Sequence, residues 1–275
     1  MSPNESEVNE ELYEKGRLYA KRMKSGLVYG PITSRRSKIS LGINPVKGGF
    51  LCNFDCIYCQ YGKEANQRGK FSTPPEIKKA LEKRIKKIIK NREKINSLTI
   101  CGPTEPLLNP KIKEIIDIVI KLRNKYLPRT EIDLFTNASR QIDFSGIDRV
   151  FLKFDADFSR VEKPKDKTTK TKVIQNIVNA NSNPKIIQSM WFKGKSGNLH
   201  EKSIDGYIRN IKRINESSPI NLIQIYTVLY LPMTKGIAPC NEKELKKLSD
   251  RIVRETNVRT QVFYRPPKID KKIVF

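Results

Sequence analysis

Short β-branched runs alternate with amphipathic helical stretches along most of this chain, and that order admits few folds. The runs are Lys38–Asn44, Ser97–Cys101, Glu131–Thr136, Arg149–Phe154, Lys185–Phe192 and Leu222–Leu229, with a further one, Thr260–Tyr264, placed to cap a sheet. Between them Ile77, Leu81, Ile85, Ile88 and Ile89 recur at helical spacing, with lysines covering the opposite face. Ile112, Ile115, Ile116, Ile118, Val119 and Leu122 repeat the pattern, as do the stretches 171–180, 203–216 and 242–255. Strands separated by helices pair in parallel, because parallel neighbours need a crossover. The alternation therefore predicts a TIM-like or doubly wound α/β domain, and 275 residues suffice to bury its core. Residues 1–25 read as a charged, helical lead-in, and nothing marks a second domain.

One segment breaks this regularity. Cys52, Cys56 and Cys59 lie in Cys-Asn-Phe-Asp-Cys-Ile-Tyr-Cys, a C-x3-C-x2-C spacing. A [4Fe–4S] cube bound only by protein needs four thiolates. This stretch has three and no fourth lies nearby, so the spacing points to a cube with one iron left open to a small molecule. A zinc knuckle and plain buried thiols are the alternatives. Tetrahedral zinc wants four ligands, commonly as two C-x2-C pairs or with histidines, and the single histidine, His200, is far downstream. Of the other thiols, Cys101 reads as a small buried residue at a strand end. Cys240, in a Pro-Cys-Asn turn into a helix, reads as an incidental exposed thiol or as a radical or proton donor.

The surroundings of the triplet add a resemblance. From Tyr29 the chain reads Tyr-Gly-Pro-Ile-Thr-Ser-Arg-Arg-Ser-Lys-Ile-Ser-Leu-Gly-Ile-Asn-Pro, then a Lys-Gly-Gly loop, then the cysteines and Gln-Tyr-Gly. From about Tyr29 to Pro267 it resembles the radical S-adenosylmethionine (SAM) enzymes, and among them the iron–sulfur oxidoreductase branch related to archaeal wyosine-base tRNA enzymes. The resemblance implies an incomplete (β/α)6 TIM-like barrel over residues 29–275, with a short N-terminal helical extension over residues 1–28 and a C-terminal strand extension. It implies that Cys52, Cys56 and Cys59 hold a [4Fe–4S] cluster whose open iron chelates SAM. An electron, supplied by a partner such as ferredoxin or flavodoxin, would cleave SAM to methionine and a 5′-deoxyadenosyl radical that abstracts hydrogen from a substrate. Two departures stand out: no cysteine precedes Cys52, which excludes a second all-cysteine cluster, and Gln60-Tyr61 replace a tryptophan.

The same resemblance implies a SAM site. Tyr58 is the aromatic residue before the last cysteine. The turn Cys-Gly-Pro-Thr-Glu-Pro after a strand frees backbone groups for a ligand. It is the counterpart of the family's Gly-Gly-Glu motif, with Gly102, Pro103 and Thr104 as cradle and Glu105 as the acid facing the SAM amino group. On its residues alone it reads also as a Pro-bounded turn with Glu105 at a helix N-terminus. Asn137 ends the third strand. Lys153 and Asp155, two apart, share one face at the end of the fourth; in the family a Lys-Leu-Asp-Ala-like segment stands here, implying a grip on the SAM carboxylate and ribose. An internal ion pair is the alternative. Gln188 and Tyr226 fall on strands five and six, where family members approach the nucleoside or substrate.

Charge bears on the partner. Lys and Arg number 54 against 29 acids, a formal +25, which favours a polyanion, tRNA first, unless the lysines reflect habitat alone. The loops 159–172 and 194–198 follow strands and so belong at the mouth of a parallel barrel. Lys163 and Lys165 in the first, Lys193 and Lys195 about the second, and Arg35 and Arg36 before the first strand are candidates to meet an anionic substrate. Solvated loops and an arginine pair that pins the N-terminal segment are the plainer readings. The acidic, polar N-terminus is unlike a signal peptide, no apolar run approaches the ~20 residues of a membrane span, and the odd set of five cysteines is no disulfide framework. The expectation is a cytoplasmic protein without a membrane partner. One histidine and no Ser/His/Asp arrangement argue against hydrolysis. Three readings follow: a radical SAM enzyme on tRNA or another nucleotide-like anion, one on a small metabolite or a protein glycyl site, and a non-enzymatic iron–sulfur or zinc-bearing RNA-binding protein.

Overall fold

The computed structural model describes residues 26–34, 36–59, 69–229, 234 and 236–264. The helical extension expected over residues 1–28 lies outside them except at its end, where Val28 already begins a strand. Strand β1 (Val28–Ser34) forms an antiparallel hairpin with β2 (Lys38–Ile43). Strands β3 (Val46–Lys47) and β4 (Lys70–Phe71) pair as a small ribbon, and the cysteine segment runs between them. Helix α1 (Pro74–Lys90), β5 (Ser97–Ile100), α2 (Ile112–Tyr126) and β6 (Glu131–Thr136) follow. Next come β7 (Arg149–Lys153), the one-turn α3 (Phe158–Val161), α4 (Lys170–Val178) and β8 (Lys185–Met190). The chain continues through β9 (Phe192–Lys193), α5 (Glu201–Ser217), β10 (Leu222–Tyr226), β11 (Ala238–Pro239), α6 (Glu242–Thr256) and β12 (Thr260–Phe263).

The main sheet has the order β1-β2-β5-β6-β7-β8-β10-β12. From β2 to β12 every neighbour is parallel and follows in chain order, with β1 antiparallel at the edge. Such an order winds the sheet one way and curls it, giving a half-barrel. The curl is visible in a single side chain: the Arg36 guanidinium lies 5.5 Å from the Phe135 ring centre and 4.8 Å from that of Tyr226. Those rings sit on β6 and β10, with β7 and β8 between them, three strand spacings of about 4.8 Å apart along the sheet.

Alternation along the strands gives the two faces opposite chemistry. Leu98, Ile100, Ile132, Leu134, Val150, Leu152, Ile187, Ile223 and Ile225 share one apolar core with Ile77, Leu81, Ile85, Ile115, Val119, Ile211 and Leu245 of the helices. The intervening positions, Thr99, Asp133, Arg149, Lys153, Gln188, Gln224 and Gln261, turn to the concave face. All seven parallel strands and five of the helices coincide with the periodic segments. The run at Lys185–Phe192 breaks at Trp191, after which Phe192–Lys193 turns away to pair with Ala238–Pro239.

Strand β1 has no counterpart among the sequence-based strands, because Pro31 disguises it. Proline is tolerated at a sheet edge, and the register shifts between Tyr29 and Ile32 to accommodate it. The Tyr29 ring lies across Gly42, where an added Cβ would sit 2.1 Å from the ring. Gly42→Ala is therefore expected to destabilise the chain by roughly 1–3 kcal/mol, the usual overpacking cost. A lower denaturant midpoint at unchanged slope would show it; an unaltered midpoint would mean that Tyr29 can move aside freely. Among the described residues no helix is long and apolar enough to cross a membrane.

Candidate active site

The cysteine loop is held on both flanks by backbone pairing. On one side Leu51 bridges Thr104, the Glu105 amide donates to the Leu51 carbonyl at 3.0 Å, and the Thr104 hydroxyl donates to the same oxygen. On the other, Phe54 bridges Pro164, with Asp55 N donating to Lys163 O (2.9 Å), Ile57 N to Val161 O (2.9 Å) and Lys165 N to Asn53 O (2.7 Å). The basic segment after α3, expected to reach for substrate, thus backs the cysteine loop. The Lys163 and Lys165 side chains are exposed, and the Lys165 charge reaches the Cys52 thiol and favours its ionised form.

The three thiols lie within one another's field. Burial, with the Glu105 carboxylate behind it, pushes the Cys52 thiol up to about 12, and burial, then Glu162, raises the Cys56 thiol well above its ordinary range, with Cys52 and Cys59 adding to it. These thiols ionise only for a metal that repays the cost. Two donors already point at the Cys52 sulfur, Phe54 N at 3.5 Å and Asn137 Nδ2 at 3.9 Å. Among the described residues no three His, Cys, Asp or Glu donors converge as a single ion would require. A cube asks for less convergence, one thiolate per iron, and three thiols without a fourth fit a cube with one open iron. Cys101 is not that fourth ligand: its sulfur lies 3.0 Å from the Tyr29 hydroxyl, behind the turn.

Glu105 is buried and fully engaged. Its carboxylate accepts from Leu107 N (3.0 Å), Thr136 Oγ1 (2.6 Å) and Asn137 N (2.6 Å). Burial pushes it up to about 7 against the pull of those bonds. It caps the short 3-10 turn Pro106–Leu108 and ties it to the end of β6, so the plainer reading of this residue is present in the fold. Gly102 has its own requirement: a Cβ there would sit 2.7 Å from Asn44 Oδ1, which accepts from Val46 N at 3.1 Å. Pro103 is buried and Thr104 half-buried beside it. Asn137 joins the two halves. Its amide donates to Asn53 Oδ1 at 3.0 Å as well as towards Cys52, while its backbone N–H serves Glu105.

A second link crosses from Tyr58. Its hydroxyl donates to Asp155 Oδ2 at 2.5 Å, and the Lys153 ammonium sits 4.7 Å from its ring. Lys153 Nζ lies 3.3 Å from Asp155 and donates to the Tyr226 hydroxyl at 2.6 Å. Burial opposes the charge on Lys153, but Asp155 and Tyr226 override it and hold the lysine well above its usual range. Burial and then Asp155 raise the Tyr58 phenol strongly. Glu162, a residue that sequence reasoning missed, stands against this pair. It is fully buried; Oε1 accepts from Asp155 N at 3.3 Å, and Oε2 has no partner among the described residues. Burial, then Asp155, raises its carboxyl well above the ordinary range. Nothing in a lysine-rich run distinguishes it.

Gln188 is buried and donates to Gln224 (2.8 Å), which donates to Gln261 (3.2 Å), an amide ladder across β8, β10 and β12. Arg35 lies outside the described residues. Lys193 is ion-paired to Glu244 at 2.9 Å, and its loop is tied down by Arg160, which donates to Ser196 O and Gly197 O; Lys195 is exposed. Cys240 corrects the expectation of an exposed thiol. It is 2% exposed within the main core, and burial pushes its thiol up to about 12. The structure also assembles a Ser/His/Asp group that the sequence hides, Ser203, His200 and Asp157. Ser203 Oγ donates to Asp157, while His200 Nδ1 accepts from Ser203 N at 3.4 Å and caps α5. His200 Nε2 lies 2.8 Å from Ser203 Oγ; with Nδ1 accepting from Ser203 N, a neutral ring carries its proton on Nε2 and donates to the serine oxygen, so it is not placed to take the serine proton as a base would.

Comparison with known proteins gives this architecture its class. A sequence model of the Radical SAM superfamily matches residues 46–194, more than half of the chain, and the chain belongs to that superfamily. It is an enzyme of the radical SAM class, whose cofactors are a [4Fe–4S] cluster and SAM. A UPF0026 protein of Methanocaldococcus jannaschii is 32% identical over 161 residues, which are 55% of this chain and 47% of that protein. The chain spans about half the length of the curated relatives it matches. Among solved structures, a radical SAM methyltransferase from Sphaerobacter thermophilus superposes with a TM-score of 0.59 at 11% identity, covering 82% of this chain and 66% of that one. TYW1 with a lysine–pyruvate adduct bound superposes at 0.54 and 13%, covering 92% and 90%. At these identities the likeness is one of fold.

Proposed function

We propose that Cys52, Cys56 and Cys59 hold the cluster, that the Gly102–Glu105 turn with Asn137 and the Lys153–Asp155 pair hold SAM over it, and that the substrate is tRNA or another nucleotide-like anion. One observation carries the reading: two hydrogen-bonded links, Cys52–Asn137–Glu105 and Tyr58–Asp155–Lys153, join the cysteine loop to the ends of three successive parallel strands. Active groups of parallel barrels gather at strand ends. The bound cofactors would supply a 5′-deoxyadenosyl radical able to take hydrogen from a substrate. The chain's own part is to position. Lys153 offers the charge for a carboxylate, Asp155 an acceptor for hydroxyls, and Tyr58 a ring at the third ligand. A formal charge of +25 supports a polyanionic substrate, as does the resemblance to the wyosine branch. A one-electron donor such as ferredoxin or flavodoxin completes the reading.

Anaerobic reconstitution with iron and sulfide, followed by reduction with SAM, should yield 5′-deoxyadenosine even without substrate. Its absence from fully loaded protein would remove the radical reading. Binding of tRNA should weaken at least about tenfold between 50 and 200 mM salt, since each phosphate contact releases counterions. Weak and salt-independent binding would instead favour a small metabolite or a protein glycyl site.

A further inference from the structure

Arg36 is the one concave-face cation for which the described residues supply no counter-ion. Asp133 is held in a two-pronged bond by Arg149, at 2.7 and 2.9 Å, and Asp155 is shared by Lys153, Tyr58 and Met190 N. Among the described residues no carboxylate lies within ion-pair distance of Arg36, and its side-chain N–H groups make no hydrogen bond. Its place is nevertheless fixed. The turn before β2 is braced by Ser34 Oγ, which accepts from Arg36 N and Ser37 N, each at 3.2 Å. The guanidinium then rests between the Phe135 and Tyr226 rings, at 5.5 and 4.8 Å. Cation–π contact with two rings holds the guanidinium in place, while its N–H donors make no hydrogen bond among the described residues, and a guanidinium fork suits two oxygens of one oxyanion.

Tyr226 also sorts what can bind. Lys153 stands 5.0 Å from its ring centre and Arg36 4.8 Å. The lysine is tied to the cysteine loop through Tyr58, whereas Arg36 reaches in from the β1–β2 turn. The ring thus carries two cations, one already neutralised beside the proposed SAM site and one unmatched within the half-barrel. We infer that Arg36 receives the anionic end of the substrate, a carboxylate or a phosphate monoester, laid against Phe135 and Tyr226. The inference deepens the proposed radical SAM reading and rests on it for the identity of the neighbouring ligand.

Two probes, inorganic phosphate and acetate, test it on the full chain loaded with cluster and SAM. Phenylglyoxal modification of Arg36, read by peptide mass mapping, should fall as either probe is added, and the one that protects at lower concentration identifies the oxyanion. Affinity for that probe should drop at least about tenfold in Arg36→Met and less in Arg36→Lys, which keeps charge but loses the fork. If neither probe protects Arg36, or if Arg36→Met binds the probe as wild type does, the assignment is overturned. It is also overturned if SAM affinity falls by the same factor, which would give Arg36 to the cofactor. Should Arg36→Met not fold, protection in the wild type together with Arg36→Lys still decides. Wild-type 5′-deoxyadenosine formation is read separately, so failure of the radical reading cannot be mistaken for failure of the anion site.

Discussion

Alanine at Cys52, Cys56 or Cys59 should each leave reconstituted protein without its visible iron–sulfur absorption and without measurable SAM cleavage, a loss of at least about a thousandfold. The size of the effect follows from the count. A cube with one open iron has no ligand to spare, and neither remaining thiol can move in. Cys101 is engaged with the Tyr29 hydroxyl, and Cys240 is enclosed in the core. Burial also raises the Cys52 and Cys56 thiols, so their ionisation is coupled to binding the cluster. Iron and sulfide analysis of the wild type, expected near four of each per chain, checks the starting point; zinc in place of iron would return the loop to the zinc-knuckle reading. Cys240→Ala is the matched control. It should keep iron content and SAM cleavage while losing roughly 1 kcal/mol of stability from a small core void. Loss of turnover with the cluster intact in that variant would restore Cys240 as a donor.

The strands and helices were legible because their signals are local. Ile77, Leu81, Ile85 and Ile88 declare a helix face without knowledge of the sheet beneath, and Ser97–Ile100 declares a buried strand. Position along a parallel strand was legible for the same reason: Lys153 and Asp155 share a face because they are two apart, wherever that face points. What stayed hidden depends on distant partners. Glu162 looks like a solvated acid among lysines, and only the packing of α3 against the cysteine loop buries it. Charge at Lys163 and Lys165 advertises the side chains, which are exposed, but not the backbone bonds by which the same residues back the cysteine loop. Gln224 and Gln261 carry no chemical signal until register aligns them with Gln188. The Asp157, Ser203 and His200 group was hidden for the same reason: the aspartate lies more than forty residues before its partners, and only the fold brings it to the helix cap. Arg36 was visible as a cation, but its isolation was not, since a missing partner cannot be read from neighbours in sequence.

Lys153→Met should be the most damaging substitution outside the cysteines, because it acts on stability and on SAM affinity by separable routes. Among the described residues the lysine is the only cation contacting the buried Asp155, and Glu162 lies fully buried behind it. Removing one partner of a buried pair leaves the other charge uncompensated, typically costing about 3–5 kcal/mol. The Tyr226 hydroxyl loses its donor at the same time. Denaturant unfolding of cluster-free protein would read that loss. The double variant Lys153→Met with Asp155→Asn keeps the shapes but removes both charges, and it should recover most of the stability, as apolar or neutral replacements of buried ion pairs commonly do. SAM affinity should not recover with it. If Lys153 and Asp155 grip the ligand, equilibrium binding to the cluster-loaded double variant stays at least about tenfold weaker than wild type. Recovery of stability and affinity together would make the pair a strut of the half-barrel, and the SAM carboxylate would then need another cation on that face, of which Arg36 is the nearest unmatched one.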